Sequence, residues 1–270
     1  MCRLFCSFSV HETSPYSSIF ESKYSILRQA DAEGHRDGWG IFAYSGKHLA
    51  LQAREAMPLS ETADEAKAIV KGINSKCSGF FVRQASNPLN LAREEIWTID
   101  ATQPFIYGNM AFMHNGAVNE PRKVLGELGE PCVLPGSNND SEVYSIIFIK
   151  YFKELGDAYK AFAATEKFIV KAYEKVKDES NTDKFAYTSL NAIFTDGSHV
   201  YAFNKYYSNR IKSISDPSRD FYKMCYKEEN DAMLIASEPT DESEWHDLGN
   251  GVLLDAWIED NKIKHSLKSI

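Results

Sequence analysis

The chain has 270 residues, enough to bury a substantial core without disulfides or metals, and at roughly 150 residues per domain it makes one large domain or two small ones. Its composition, 43% hydrophobic and 25% charged, is that of an ordinary globular protein, and 15 glycines with 9 prolines are too few for a fibrous or low-complexity chain. The net charge of −8 disfavours a nucleic-acid partner, no stretch approaches the ~18 apolar residues of a membrane helix, and five cysteines without CxxC spacing point to free thiols in a reducing, cytoplasmic compartment.

Residues 2–10 read as a strand, with Leu4, Cys6 and Phe8 alternating with Arg3, Ser7 and Ser9. Ser14-Pro15 starts a helix that carries Tyr16, Ile19, Phe20, Tyr24 and Leu27 on one face and ends near Ala32. The glycine-rich run from Gly34 to Gly40 then leads into a hairpin, 41–44 with 48–53. A helix is expected over 61–72 and a short buried strand over 79–82. The polar connection over 83–107 is long enough to be functional. Residues 110–114 form another strand, and Glu120-Pro121 starts a short helix. Two long helices follow, 141–155 capped by Asn139 or Asp140, and 157–177. The clearest hairpin spans 189–203 across Asp196-Gly197, a type I′ signal, and further strands lie at 222–227, 232–237, 251–258 and 262–267. Hairpin-clustered strands with grouped helices predict an α+β fold of antiparallel sheets, in one domain over 1–270.

Five segments have both a chemical and a structural reading. Removal of Met1 would leave Cys2 with a thiol and a free α-amine on one carbon. Reference pKa values are about 8 for the amine and about 8.5 for the thiol, so the amine can serve as general base for its own side chain. Otherwise Cys2 is a small buried hydrophobe. Asp37-Gly38-Trp39-Gly40 permits close backbone approach, or is a turn with Trp39 as core anchor. Arg83, ending a buried strand, can hold a carboxylate in bidentate fashion or make a strand-end ion pair. Asn115 and Gly116, after His114, can point two donors at one developing oxyanion, or form a tight turn. Asp140 can pair with an ammonium group or cap its helix.

Met1-Cys2, Asp37-Gly38-Trp39-Gly40, Arg83-x-x-Ser86, His114-Asn115-Gly116 and Asn139-Asp140-Ser141-Glu142 occur in this order. In that combination the chain resembles the class II glutamine amidotransferases, which are N-terminal-nucleophile hydrolases. It most resembles their stand-alone members, which lack a synthase domain. Ala236-Ser237-Glu238-Pro239, followed by Trp245, extends the resemblance over nearly the whole chain. The resemblance implies a four-layer αββα sandwich. It implies that Cys2 attacks a γ-glutamyl carbonyl, that Arg83 and Asp140 bind the substrate α-carboxylate and α-ammonium, and that Asn115 and Gly116 form the oxyanion hole. Ser86, Asn87 and His114 would join the substrate-binding residues, with Asp37, Gly38 and Trp39 structural beside the site. Members fused to a synthase show Thr-His where this chain has Ser86-Asn87, in a segment that shapes the substrate lid. No cofactor or metal is implied. The expected ligand is a small γ-glutamyl compound, glutamine first, with a separate synthase as ammonia acceptor. The other readings are a hydrolase of larger γ-glutamyl peptides or conjugates, and a non-catalytic ligand-binding or regulatory subunit.

Overall fold

Strand β1 (Arg3–Thr13) sends Leu4, Cys6 and Phe8 into one apolar cluster and Phe5 into another, and every residue from Arg3 to Val10 is buried. A strand buried on both faces must lie between two layers. The computed structural model describes residues 2–85, 91–130, 133–137, 139–178, 185–207 and 218–270. After β1 come a π-helical turn (Ser17–Glu21), α1 (Ile26–Glu33), β2 (Trp39–Ser45), β3 (His48–Glu55), α2 (Ala63–Lys71), β4 (Ser75–Val82), α3 (Arg93–Ile96), β5 (Phe105–Tyr107) and β6 (Met110–Asn115). The chain continues with α4 (Pro121–Gly126), α5 (Asp140–Leu155), α6 (Ala158–Val176), β7 (Asn191–Thr195) and β8 (His199–Asn204). It closes with β9 (Cys225–Glu229), β10 (Ala232–Ala236), β11 (His246–Asp247), β12 (Val252–Glu259) and β13 (Lys262–Ser269).

The strands form two antiparallel sheets, ordered β11-β9-β10-β1-β4-β2-β3 and β13-β12-β8-β7-β6-β5. Their facing sides make one core: Leu4, Cys6, Phe42 and Phe81 of the first sheet meet Met113, Ile193, Ala202 and Leu254 of the second. On the outer face of the first sheet, Phe5, Ile41 and Phe80 are covered by Ile19, Ile26, Ala66 and Val70 from the π-turn, α1 and α2. On the outer face of the second, Phe112, Phe194 and Phe203 are covered by Phe148 of α5 and Phe162 of α6. Helix, sheet, sheet and helix thus make the four-layer α+β sandwich. Among the described residues no helix is long and apolar enough to cross a membrane.

Two local expectations are corrected. The helix expected from Ser14 to Ala32 is broken. Tyr24 N–H donates to Thr240 O instead of to its own helix, and Ser25, with ψ 156°, restarts the chain as α1. The Asp196-Gly197 turn is not type I′, which needs two successive positive φ values. Only Gly197 is positive there, and Asp196 Oδ1 accepts from Ser198 N and His199 N. Paired positive φ values occur instead at Asn230-Asp231 and Asp260-Asn261, joining β9 to β10 and β12 to β13.

Candidate active site

The site lies where β1 begins, β4 ends and β6 ends. Arg3 pairs with Val82 in the ladder, so Cys2 continues opposite Arg83. Side-chain alternation turns Cys2 toward the inter-sheet core, against whose edge it packs. Its thiol donates to Gln84 O at 3.6 Å, and its N–H donates to Asn115 Oδ1 at 3.0 Å. One residue is therefore held by both sheets. Burial pushes the Cys2 thiol pKa up, and the charges of Arg83 and Asp140 both act on it, in opposite senses.

Asn115 is fully buried. Its oxygen is committed to Cys2, while its Nδ2 makes no hydrogen bond among the described residues. A buried unpaired donor costs about 1–3 kcal/mol and calls for an explanation such as a bound acceptor. Gly116 must be glycine here: a Cβ would lie 2.1 Å from Ser189 O and 2.8 Å from His114 Nε2. The chain does not return as a hairpin after Gly116, because Val118 forms an isolated bridge with Tyr187 and α4 begins at Pro121.

His114 is buried, with Nε2 at 2.9 Å from Ser189 O and Nδ1 at 2.8 Å from Ser141 Oγ. A carbonyl can only accept, so the proton is assigned to Nε2 and Nδ1 accepts from the Ser141 hydroxyl. Burial pushes the imidazole pKa down to about 4, so it is neutral. Both ring nitrogens are engaged within the protein, and the ring braces β6 against α5 and the start of β7. Gln103 adds a second brace: its Oε1 accepts from His114 N at 2.5 Å and its Nε2 donates to His114 O at 3.1 Å.

At the start of α5, Asn139 takes the capping role, its Oδ1 accepting from Ser141 N at 2.8 Å. The Asp140 carboxylate meets backbone N–H groups of its own. Oδ2 accepts from Val118 N at 2.8 Å. Burial raises the Asp140 pKa to about 6, opposed by backbone N–H groups, including that of Val118, and by the Arg83 guanidinium.

Arg83 is buried, and burial lowers its pKa, while Cys2, Asp37 and Asp140 favour its charged form. Backbone bonds Arg83 N to Gly38 O (2.8 Å) and Asp37 N to Arg83 O (3.2 Å) tie it to the glycine-rich loop, and Arg83 Nη1 donates to Asp37 O at 3.4 Å. The Asp37 carboxylate accepts from Ala85 N at 2.7 Å. Gly38 has φ +128°, and a Cβ there would sit 2.5 Å from Glu55 O. Trp39 is a core anchor, stacked on Phe80 at 5.8 Å with Nε1 donating to Thr62 Oγ1 at 2.8 Å. Ser86 and Asn87 lie outside the described residues.

The structure thus brings Cys2, Arg83, Asn115 and Asp140 together, with Asp37 and Gly38 bracing Arg83. The sequence reading missed Gln103, Ser141, Ser189 and Tyr222. Tyr222 is buried, donates its hydroxyl to Thr188 Oγ1 at 3.2 Å and feels the charges of Cys2 and Asp140. Nothing at the level of spacing marks it. Among the described residues no group of three or more His, Cys, Asp or Glu is arranged to hold a metal ion.

A thiol, a guanidinium, a buried carboxylate and an amide donor unpaired among the described residues converge at one rim of a two-sheet sandwich. The family model for class-II glutamine amidotransferases matches residues 1–258, and the chain belongs to that family. No curated protein matches its sequence. Among solved structures it is similar to a glutamine aminotransferase class-II domain protein from Silicibacter pomeroyi, at 16% identity and TM-score 0.66 over 100% of this chain and 99% of that one. It is also similar to the glutamine phosphoribosylpyrophosphate amidotransferase of B. subtilis, at 16% identity and TM-score 0.57 over 98% of this chain and 49% of that one. A structure described as the allosteric regulatory enzyme of purine biosynthesis matches at 16% identity and TM-score 0.60, over 98% and 48%. The chain spans about half the length of these last two. At such identities the likenesses speak to the fold.

Proposed function

We propose that the protein hydrolyses a γ-glutamyl amide, with glutamine as the first substrate, through a thioester on Cys2. The observation that carries this reading is the Asn115 side chain. Its oxygen holds the Cys2 nitrogen at 3.0 Å, and the other end of the same amide is an unpaired buried donor among the described residues. With Met1 removed, that nitrogen is the α-amine. It takes the thiol proton as the sulfur–carbon bond forms. Asn115 Nδ2 and the Gly116 N–H stabilise the resulting oxyanion, Arg83 holds the substrate α-carboxylate and Asp140 its α-ammonium. The protonated amine gives its proton to the departing nitrogen as the C–N bond breaks, and ammonia leaves. Water, deprotonated by the same amine, then attacks the thioester, and glutamate is released with the thiol restored.

On this reading residues 1–270 act as one stand-alone amidotransferase domain in the cytoplasm, and the ammonia is released or taken by a separate synthase. The test combines mass spectrometry of the N-terminus, trapping by diazo-oxo-norleucine and ammonia release from glutamine. Only the Met1-free form is expected to be labelled, at Cys2, and to turn over. Protein with Cys2 proven N-terminal that neither labels nor releases ammonia from any γ-glutamyl amide would sink the proposal.

A further inference from the structure

Immediately behind the nucleophile lies a buried ionic cluster that the mechanism above does not use. Alternation places Arg3 on the face of β1 opposite Cys2, toward the helix layer, and its side chain is 0% exposed. Arg3 Nη2 is 2.6 Å from Glu238 Oε2, and the same nitrogen pairs with Glu33 Oε1. Arg3 Nη1 donates to Phe221 O at 3.4 Å, and the guanidinium carbon sits 4.0 Å from the centre of the Phe221 ring. His35 Nε2 lies 3.4 Å from Glu33 Oε2. Two carboxylates, Glu238 buried and Glu33 partly so, thus converge on one guanidinium, one peptide bond from Cys2.

The three ion partners come from the segments that build the site. Arg3 starts the nucleophile strand. Glu33 ends α1 and leads into Gly34–Gly38, the loop whose Asp37 and Gly38 grip Arg83. Glu238 belongs to the Ala236–Pro239 run, two residues past the last ladder pair of β10, Phe5 with Ala236, and one past the Ser237–Leu4 rung. That rung is fixed separately: Ser237 N donates to Leu4 O at 2.9 Å, and Leu4 N donates to Ser237 Oγ at 3.0 Å. Burying three charged groups costs desolvation that apolar packing of equal volume would avoid. Stability alone therefore does not account for the cluster, whereas a fixed geometry does.

We infer that Arg3 is a positioning residue. Held by Glu33 and Glu238, it locks the first residue of β1 in register with the carboxylate-clamp loop, so that Cys2 and Arg83 face one substrate at a set separation. This rests on the proposed γ-glutamyl chemistry for its kinetic consequences, but not for its geometry.

The test uses full-length Met1-free protein carrying Arg3→Lys or, as a variant that keeps the cluster's volume, Glu238→Gln. Three quantities are read: the thermal midpoint, glutamine turnover per Cys2 titrated with diazo-oxo-norleucine, and the rate of Cys2 alkylation by iodoacetamide, located by peptide mass spectrometry. A loosened anchor lets the Cys2 thiol escape the burial that raises its pKa. Alkylation at neutral pH is therefore expected to rise several-fold, while kcat per titrated site falls roughly ten- to hundredfold, as misplacement of reacting groups does. KM should change much less. A cluster that serves stability alone would lower the thermal midpoint and leave both rates per folded molecule unchanged in both variants, and that result overturns the inference. A fall in kcat with unchanged alkylation also overturns it, because Cys2 would not have moved. If the parent protein hydrolyses no γ-glutamyl amide, the functional proposal fails, and the alkylation contrast alone decides this one.

Discussion

Asp140 sets stability against binding, and replacing it by Asn separates the two. Burial raises its carboxyl from the ordinary 3.8 to about 6. A group whose pKa is higher in the folded state binds its proton more tightly there, so its neutral form favours folding. The stabilisation is complete below about pH 4 and is lost as pH rises through about 6. At ~1.4 kcal/mol per tenfold change in proton affinity, the ionised group costs at most about 3 kcal/mol at neutral pH. Asn keeps the shape and an oxygen for Val118 N–H, and carries no charge. Asp140→Asn is expected to be more stable than the parent by about 1–3 kcal/mol at neutral pH, with the gap closing below about pH 4. Urea unfolding across that range measures it. On the proposed chemistry the same substitution removes the partner of the substrate ammonium, and kcat/KM for glutamine should fall about ten- to hundredfold, the worth of one charge-assisted hydrogen bond. In the parent, kcat/KM should lose a further tenfold per pH unit below about 6, beyond any fall due to the amine, and the variant lacks that extra limb. A variant no more stable than the parent at neutral pH, beside a parent whose kcat/KM is flat through about pH 6, would refute the reasoning.

Asn115→Ala removes the unpaired donor, and kcat is expected to fall about 10²–10³-fold with a far smaller change in KM, read by steady-state ammonia release. Arg83→Lys keeps the charge but loses the fork, so KM for glutamine should rise about tenfold or more while diazo-oxo-norleucine still reaches Cys2 at saturation. Gly116→Ala drives a methyl to within 2.1 Å of Ser189 O, and a loss of at least about 1–3 kcal/mol should appear in thermal melts followed by circular dichroism.

The antiparallel character of the sheets was legible because hairpin signals are local, whereas the four-layer order came with the family resemblance. Alternate residues of β1 enter different cores, Leu4, Cys6 and Phe8 one and Phe5 the other, and Asp260-Asn261 makes a tight reversal. The break between the π-turn and α1 was not legible, since its cause is Thr240, more than two hundred residues away. The same division holds at the site. Cys2, Arg83, Asn115 and Asp140 occur in short motifs whose residue types advertise their chemistry. For Asp140 the two local readings were never exclusive: Asn139 caps the helix, and Asp140 is thereby left to its own partners. The fixed tautomer of His114 depends on Ser141 and Ser189, and the placement of Tyr222 on Thr188 and Asn191, none of which are sequence neighbours of the residues they hold. Such contacts exist only after the two sheets meet.

Why the chemistry gathers at this end of the sandwich follows from strand direction. In an antiparallel pair, the end where one strand starts is the end where its neighbour stops. Arg3 opens β1 opposite Val82, which closes β4, so Cys2 and Arg83 must emerge side by side. In the other sheet, Asn115 closes β6 opposite Asn191, which opens β7. Packing the sheets face to face brings these two rims together, and the 3.0 Å bond from Cys2 N to Asn115 Oδ1 is the seam. β1 is buried on both sides, so Cys2 extends a strand held between two layers. Cys2 is held by the thiol's neighbours on one face of the strand, and Arg3 by its ion partners on the other. That is the condition under which a free amine and a thiol on the same carbon can share one fixed substrate.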